Sequence, residues 1–230
     1  MNEGSLEVVE VAGLAIWRVG FAPDAFAWPA WEYSPFAGRF DDPEEEYRVV
    51  YVGTSAVACL VEVLSRFRVD PELAAQIDAI NPSEIDVHFP TVAVGVVPRE
   101  FFSARRLGSG ELWGTYVDLL HARTIANLWR QFVGAAKDLG LADFDGAALR
   151  ARDARELTRA VSRHLFLQND QPVDGIRFES RHGAGLDLYA VFENAGGIGS
   201  PALRHPVTLA LDAASSDVRE VLDLLGLELG

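Results

Sequence analysis

The first apolar pattern in the chain is extended. LEVVEVAGLAIWRVG, from Leu6 to Gly20, is rich in β-branched residues and is broken once, at Gly13. A stretch dense in proline, aromatic and turn residues follows, FAPDAFAWPAWEYSPFAGRFDDPEEE. It is too irregular for a helix or strand and too apolar for a free linker, so it is predicted to be an ordered loop packed on the body. YRVVYVG then reads as a short buried strand ended by Gly53, and TSAVACLVEVLSRF as a helix capped by Thr54 or Ser55. Val57, Leu60, Val61 and Leu64 recur at helical spacing and define its buried face.

Further along, PELAAQIDAI is predicted helical, and EIDVHFPTVAVGVVP one or two strands stopped by Pro98. The region from about Tyr116 to Leu139 reads as a helix with Gly140 as its stop, and DARELTRAVSRHLFLQ as a second, amphipathic helix. GIRFES and LDLYAVFE are predicted strands, and a helix capped by Ser215 or Ser216 is expected over about 215–229. No repeat, low-complexity tract or Gly/Ser linker divides the chain. The expectation is a single α+β domain over residues 1–230.

Charge narrows the function. Acidic residues number 34 against 20 basic ones, a net charge of −14. Proteins that bind duplex nucleic acid draw most of their affinity from Lys and Arg, so nucleic acid is not expected as a direct ligand. An anionic small molecule would need a local arginine cluster inside this acidic envelope. No apolar run is long enough to span a bilayer, and the acidic start MNEGSLEVVE lacks a secretory pattern. A cytoplasmic protein without membrane contact is the expectation. The lone Cys59 gives no internal disulfide, and the five histidines lie far apart, so no metal is expected. The phosphate-loop pattern, the Rossmann glycine pattern and the nucleophile-elbow pattern are all missing. The glycines at 196, 197 and 199 read as a turn.

Four residues in the first third invite a chemical reading: Arg18, Arg39, Tyr51 and Glu62. Each also has a plain one. Arg18 could be a solvated strand end, and Arg39 could answer the acidic run from Asp41 to Glu46. Tyr51 could line the core, and Glu62 could pair with Arg66 one helical turn on.

Their order and setting add what the single residues lack. Trp17-Arg18, the aromatic loop ending in Gly38-Arg39-Phe40, the strand Val49-Val50-Tyr51-Val52-Gly53, and Val61-Glu62-Val63-Leu64 follow one another. Asp174-Gly175-Ile176-Arg177-Phe178-Glu179-Ser180 makes a second block, preceded by the helix Leu157-Thr158-Arg159-Ala160-Val161-Ser162-Arg163. The whole resembles the RES domain family, named for its Arg, Glu and Ser, over roughly Leu14 to Asn194. Asp41 departs from the pattern, since relatives often carry Asn there. The segment 101–155 is read as a variable helical insert.

The resemblance implies a fold like the ADP-ribosyltransferases: a split, mixed β-sheet surrounded by helices. It also implies an enzyme that cleaves NAD⁺ by hydrolysis or phosphorolysis, the toxin of a toxin–antitoxin pair. Alternatives are a mono-ADP-ribosyltransferase with a protein target, a catalytically inactive interaction module, and an unrelated enzyme of phosphorylated metabolites. NAD⁺ would be substrate, with no cofactor. Partners would be a helix-turn-helix antitoxin and, an open question, a second copy of the chain. On that reading Glu62 and Arg39 are catalytic, and Arg18, Arg39, Tyr51 and Ser180 bind substrate. The chemistry suits these residue types. Nicotinamide leaves as a ready cation, the ribose becomes oxocarbenium-like, and a carboxylate such as Glu62 would stabilise it. Arginines offer forked, permanently charged donors to the diphosphate. Tyr51 could stack on the nicotinamide ring or bond a ribose hydroxyl. Ser180 could position the ribose or the amide, and no histidine is spaced to make it a nucleophile.

Overall fold

The structure, a computed structural model, describes residues 5–28, 30–34, 36–68, 72, 95–168, 172–193 and 202–230. Its strands are β1 (Val8–Phe21), β2 (Val49–Gly53), β3 (Val96–Val97), β4 (Arg105–Asp118), β5 (Gly175–Glu179), β6 (Asp187–Phe192), β7 (Leu203–Ala210) and β8 (Glu228–Leu229). Its helices are α1 (Ala56–Leu64), α2 (Arg99–Ser103), α3 (Ala122–Asp138), α4 (Gly146–Arg150), α5 (Arg155–Phe166) and α6 (Ser216–Leu225).

Six strands form one sheet in the order β1-β2-β6-β5-β4-β7, and β1 pairs back onto β4. The path β1-β2-β6-β5-β4 therefore closes on itself, with β7 outside the ring. Among the described residues of this sheet only the β4–β5 pairing is parallel, so the sheet is mixed, as expected. The β1–β4 ladder runs from Val8↔Val117 to Phe21↔Arg105 and shifts register between Ala12 and Leu14. Gly13 occupies that bulge at φ +80°, a conformation that side-chain-bearing residues resist.

Ser55 caps α1 by accepting from the Ala58 amide at 3.0 Å. Leu60, Val61 and Leu64 of α1 are buried against Val218, Val221 and Leu222 of α6. On the other flank, Leu157, Val161 and Leu165 of α5 join Leu128 and Phe132 of α3 over Ile176 and Phe192 of the sheet. The described residues of the aromatic loop pack on the body, with Ala25, Phe26, Phe36 and Phe40 buried. No helix among the described residues is long and apolar enough to cross a membrane.

Three expectations need correction. The segment 101–155 is not a helical insert: its first part is β4, a 14-residue strand that pairs with β1, β5 and β7. Glycines at 108, 110 and 114 blur its alternation, and they are there for packing. A Cβ on Gly108 would lie 2.5 Å from the Phe26 ring. Tyr116 to Asp118 accordingly end a strand, and the helix begins only at Ala122, with His121 as its N-cap. The C-terminal helix ends at Leu225, not 229. Gly226 turns left-handed at φ +64°, and Glu228–Leu229 become β8, paired with β3. The helix expected at 71–80, apart from Glu72, most of the strand pattern at 84–98 and the turn at 196–199 lie outside the described residues; Val96 and Val97 form β3.

Candidate active site

Tyr51 in β2, Glu62 in the last turn of α1 and Ser180 just after β5 come together around Arg39. Glu62 sits on the outer face of α1, one helical turn after Cys59. Ser180 follows directly on β5 and is 3% exposed. Its hydroxyl donates to Glu62 Oε1 at 2.5 Å, across 118 residues of sequence, and accepts from the His182 amide at 3.0 Å. This serine is thus a fixed bridge between the carboxylate and the loop after β5. The surface pair of Glu62 with Arg66 is not what forms. Arg66 donates to the Val63 carbonyl and lies over the Phe67 and Phe101 rings.

Arg39 approaches from the aromatic loop. Its guanidinium lies 5.3 Å from the Phe40 ring centre and 5.6 Å from that of Phe178, so two ring faces set its plane. Burial lowers its pKa to about 10, against the pull of Glu62 and Tyr51; Arg181 and Arg150 add to the lowering. Arg39 Nε is buried without a hydrogen-bond partner among the described residues. A buried donor left unmet costs free energy of about 1–3 kcal/mol.

Tyr51 serves the loop. Its hydroxyl accepts from the Phe40 amide and donates to Asp41 Oδ1, both at 2.8 Å. The other Asp41 oxygen accepts from the Gly38 amide at 2.6 Å. Asp41, the departure from the family pattern, therefore closes the turn that carries Arg39 and turns its carboxylate onto the loop backbone. Burial and the Asp41 charge hold the Tyr51 phenol well above its ordinary range.

Arg18 stands apart from the other four. Its Nη1 donates to the carbonyls of Ala25 at 2.7 Å and Ala27 at 3.3 Å, and burial lowers its pKa to about 10. It reaches the group through Cys59, whose thiol feels both Arg18 and Glu62, donates to the Trp17 carbonyl and is pushed up to about 12 by burial. Ser180 and Glu62 are bonded to each other, and the charges of Glu62 and Tyr51 act on Arg39; Arg18 flanks them.

Residues not singled out from the sequence complete the surroundings. Arg150, Arg181 and His182 lie within electrostatic reach of Arg39 or Glu62, with Arg150 itself ion-paired to Glu179. Helix α5 holds the Arg39 loop through Thr158, Arg159, Ser162 and Arg163. A signal for these four was present. They make a polar stripe at i, i+1, i+4 and i+5 beside the apolar stripe of Leu157, Val161 and Leu165.

Residues 15–212 match the family model of the RES domain. The chain belongs to the RES domain family. The RES match takes in Arg18, Arg39, Tyr51, Glu62 and Ser180, all of α5, and the six-stranded sheet apart from the first half of β1. Among solved structures, a chain of the M. tuberculosis MbcT–MbcA toxin–antitoxin complex is similar to this RES protein. The two are 17% identical, with 94% of this chain and 92% of that chain covered and a TM-score of 0.46. No curated protein matches the chain.

Proposed function

We propose that this RES protein cleaves the nicotinamide–ribose bond of NAD⁺, with water or phosphate as the acceptor. The observation that carries the reading is the pairing of a serine-held carboxylate with an arginine whose buried Nε lacks a partner among the described residues. In the reaction the C1′–N bond breaks and its electron pair leaves on nicotinamide. A bond then forms from an acceptor oxygen to C1′, and the acceptor's proton passes to solvent. Positive charge builds on the ribose between these events, and a fixed carboxylate opposite it lowers the barrier without having to reorganise. Glu62 takes that role. Ser180 holds it in place and is not a nucleophile.

Arg39 binds the diphosphate with its planar fork, pre-set by the Phe40 and Phe178 rings. Arg150 and Arg181 lie within electrostatic reach of it. Arg18 fixes the 25–27 turn and adds charge from the flank. Tyr51 acts on substrate through the loop it braces, because its hydroxyl is already engaged twice. A protein that drains cytoplasmic NAD⁺ endangers its own cell. The reading therefore includes a toxin role and a neutralising partner, a helix-turn-helix antitoxin being the class that the family resemblance implies.

Incubation of the purified chain with NAD⁺, with and without phosphate, followed by mass spectrometry, tests this. Free nicotinamide with ADP-ribose, or with a phosphorylated ADP-ribose, is expected. Glu62→Gln should keep the fold and relieve growth arrest when the chain is expressed in a bacterium. Equal toxicity of that variant would remove Glu62 from the mechanism, and intact NAD⁺ with the native chain would reject the reading.

A further inference from the structure

The loop that carries Arg39 is bound along its backbone by one face of α5. Thr158 Oγ1 donates to the Arg39 carbonyl at 2.7 Å, and Ser162 Oγ to the Phe40 carbonyl at 2.6 Å. Arg159 donates from Nε to the Asp41 carbonyl at 3.2 Å and from Nη2 to the Asp42 carbonyl at 3.0 Å. Arg163 grips both Asp42 carboxylate oxygens at 2.9 Å. Four consecutive carbonyls thus meet donors from a single helix. Such a row asks for a reason, because an exposed loop would satisfy its carbonyls with water at no cost in sequence.

The loop itself supplies one. Phe36 and Glu45, at its two ends, stand at φ +40° and +58°, in the left-handed region that residues with a Cβ resist. A backbone so bent persists only where its surroundings over-determine it. Arg39 is the residue the bend presents, with its guanidinium beside the Phe40 and Phe178 rings, which meet edge to face, and its Nε unmet among the described residues.

We infer that α5 is the positioning element of the site: through Thr158 and Ser162 it fixes the main chain directly after the Arg39 side chain, at the Arg39 and Phe40 carbonyls, and so sets where the guanidinium meets the ligand's diphosphate. Thr158 and Ser162 touch no substrate. They act through Arg39, and the inference rests on the NAD⁺-cleaving reading given above. The polar stripe of α5 is then part of the binding machinery, while its apolar stripe builds the core.

Thr158→Val removes the hydroxyl and keeps the shape; Thr158→Ser restores the donor. In steady-state assays of nicotinamide release, Thr158→Val should raise KM for NAD⁺ about tenfold with kcat within about twofold, since one hydrogen bond to the positioning loop is lost. Thr158→Ser should return KM to the native value. In an Arg39→Ala background Thr158→Val should add nothing to KM, because the residue it acts through is gone. The same proteins are titrated with ADP-ribose, which carries the diphosphate but no cleavable bond, and hydrogen exchange is followed at the Gly38 and Phe40 amides. Faster exchange and weaker ADP-ribose binding in Thr158→Val, both reversed in Thr158→Ser, support positioning. An active native chain whose Thr158→Val variant keeps its KM and its ADP-ribose affinity overturns the inference and leaves the cleavage reading standing. A native chain inert toward NAD⁺ whose ADP-ribose affinity still falls in Thr158→Val sinks the cleavage reading and keeps the inference. A native chain that neither cleaves NAD⁺ nor binds ADP-ribose overturns both.

Discussion

The hydroxyl of Ser180 stands between two claims on it, the Glu62 carboxylate at 2.5 Å and the His182 amide at 3.0 Å. Ser180→Ala would leave Glu62 to choose its own rotamer on the exposed face of α1. Loss of a hydrogen bond to a charged group is worth about 1.5–3 kcal/mol. The expected outcome is a fall in kcat of about tenfold or more with little change in unfolding midpoint, read from nicotinamide release and thermal melts. An unchanged kcat would reduce Ser180 to a loop anchor. Gly38 makes a sharper test of the Arg39 turn. A Cβ there would lie 2.6 Å from both Asp41 Oδ1 and the Tyr51 hydroxyl. Gly38→Ala should therefore break the turn's closure and cost on the order of 1–3 kcal/mol, measured by urea unfolding; a neutral result would mean that the turn yields freely. Glu62, Arg39 and Ser180 were singled out in the sequence by the resemblance of their order and setting to the RES family, since each taken alone fits a plain reading as well. The duties of Tyr51 and Arg18 were not legible there. Their partners, the Phe40 amide and the Ala25 and Ala27 carbonyls, are backbone groups, and no residue type announces which carbonyl a side chain will find.

Among the elements, α5 does two jobs on two faces, and its end residue Arg163 shows how far the second extends. Asp42 is fully buried, takes both bonds from Arg163 Nη1, and also accepts from the Glu44 and Glu46 amides at 3.3 and 2.7 Å. Asp42→Ala strips three donors of their acceptor at once, although the partial exposure of Arg163 lets water repair part of the loss. A destabilisation of about 1–3 kcal/mol is expected in chemical denaturation, and Asn at the same position should recover part of it. Equal stability of the Ala variant would show that the acidic stretch is a surface tether only. Helix α5 was readable from its apolar spacing, and α1 from its cap and stripe. By contrast β4 was not, although it is the strand on which the sheet closes. Its glycines are selected for close packing of the 25–26 turn and for bends, and they erase the alternation by which a strand is recognised. Its last residues, Tyr116 and Val117, also fit a helical spacing with the true helix that follows. Tertiary pairing with β1, β5 and β7 decides the matter.

For the molecule as a whole, two partly buried histidines supply a contribution to acid sensitivity. His164 lies in the seam between α3 and α5, edge-on to Phe132 and bonded to Gln131 and Gln168. His182 lies beside Glu62, and Arg181 donates to its ring. Burial lowers the pKa of both; for His182 the Glu62 charge opposes the shift, while Arg181 and Arg68 add to it. The unfolded chain holds the ordinary histidine value of about 6.5. Below that value the unfolded state binds protons that the folded state refuses, so stability falls as pH drops from about 6.5 through the lowered folded values, and is full above 6.5. Melting temperatures measured between about pH 7.5 and pH 5 should decline toward acid over that window. His164→Gln keeps a hydrogen-bonding side chain in the α3–α5 seam without a titrating ring, and should flatten the decline while leaving kcat at neutral pH near native. Adding His182→Gln should flatten it further, and because that residue adjoins Glu62 it should also change the acid limb of the rate profile. The two variants thus separate the seam, which holds α5 upright, from the site that α5 serves. A decline equally steep in the double variant would move the acid sensitivity to the carboxylates.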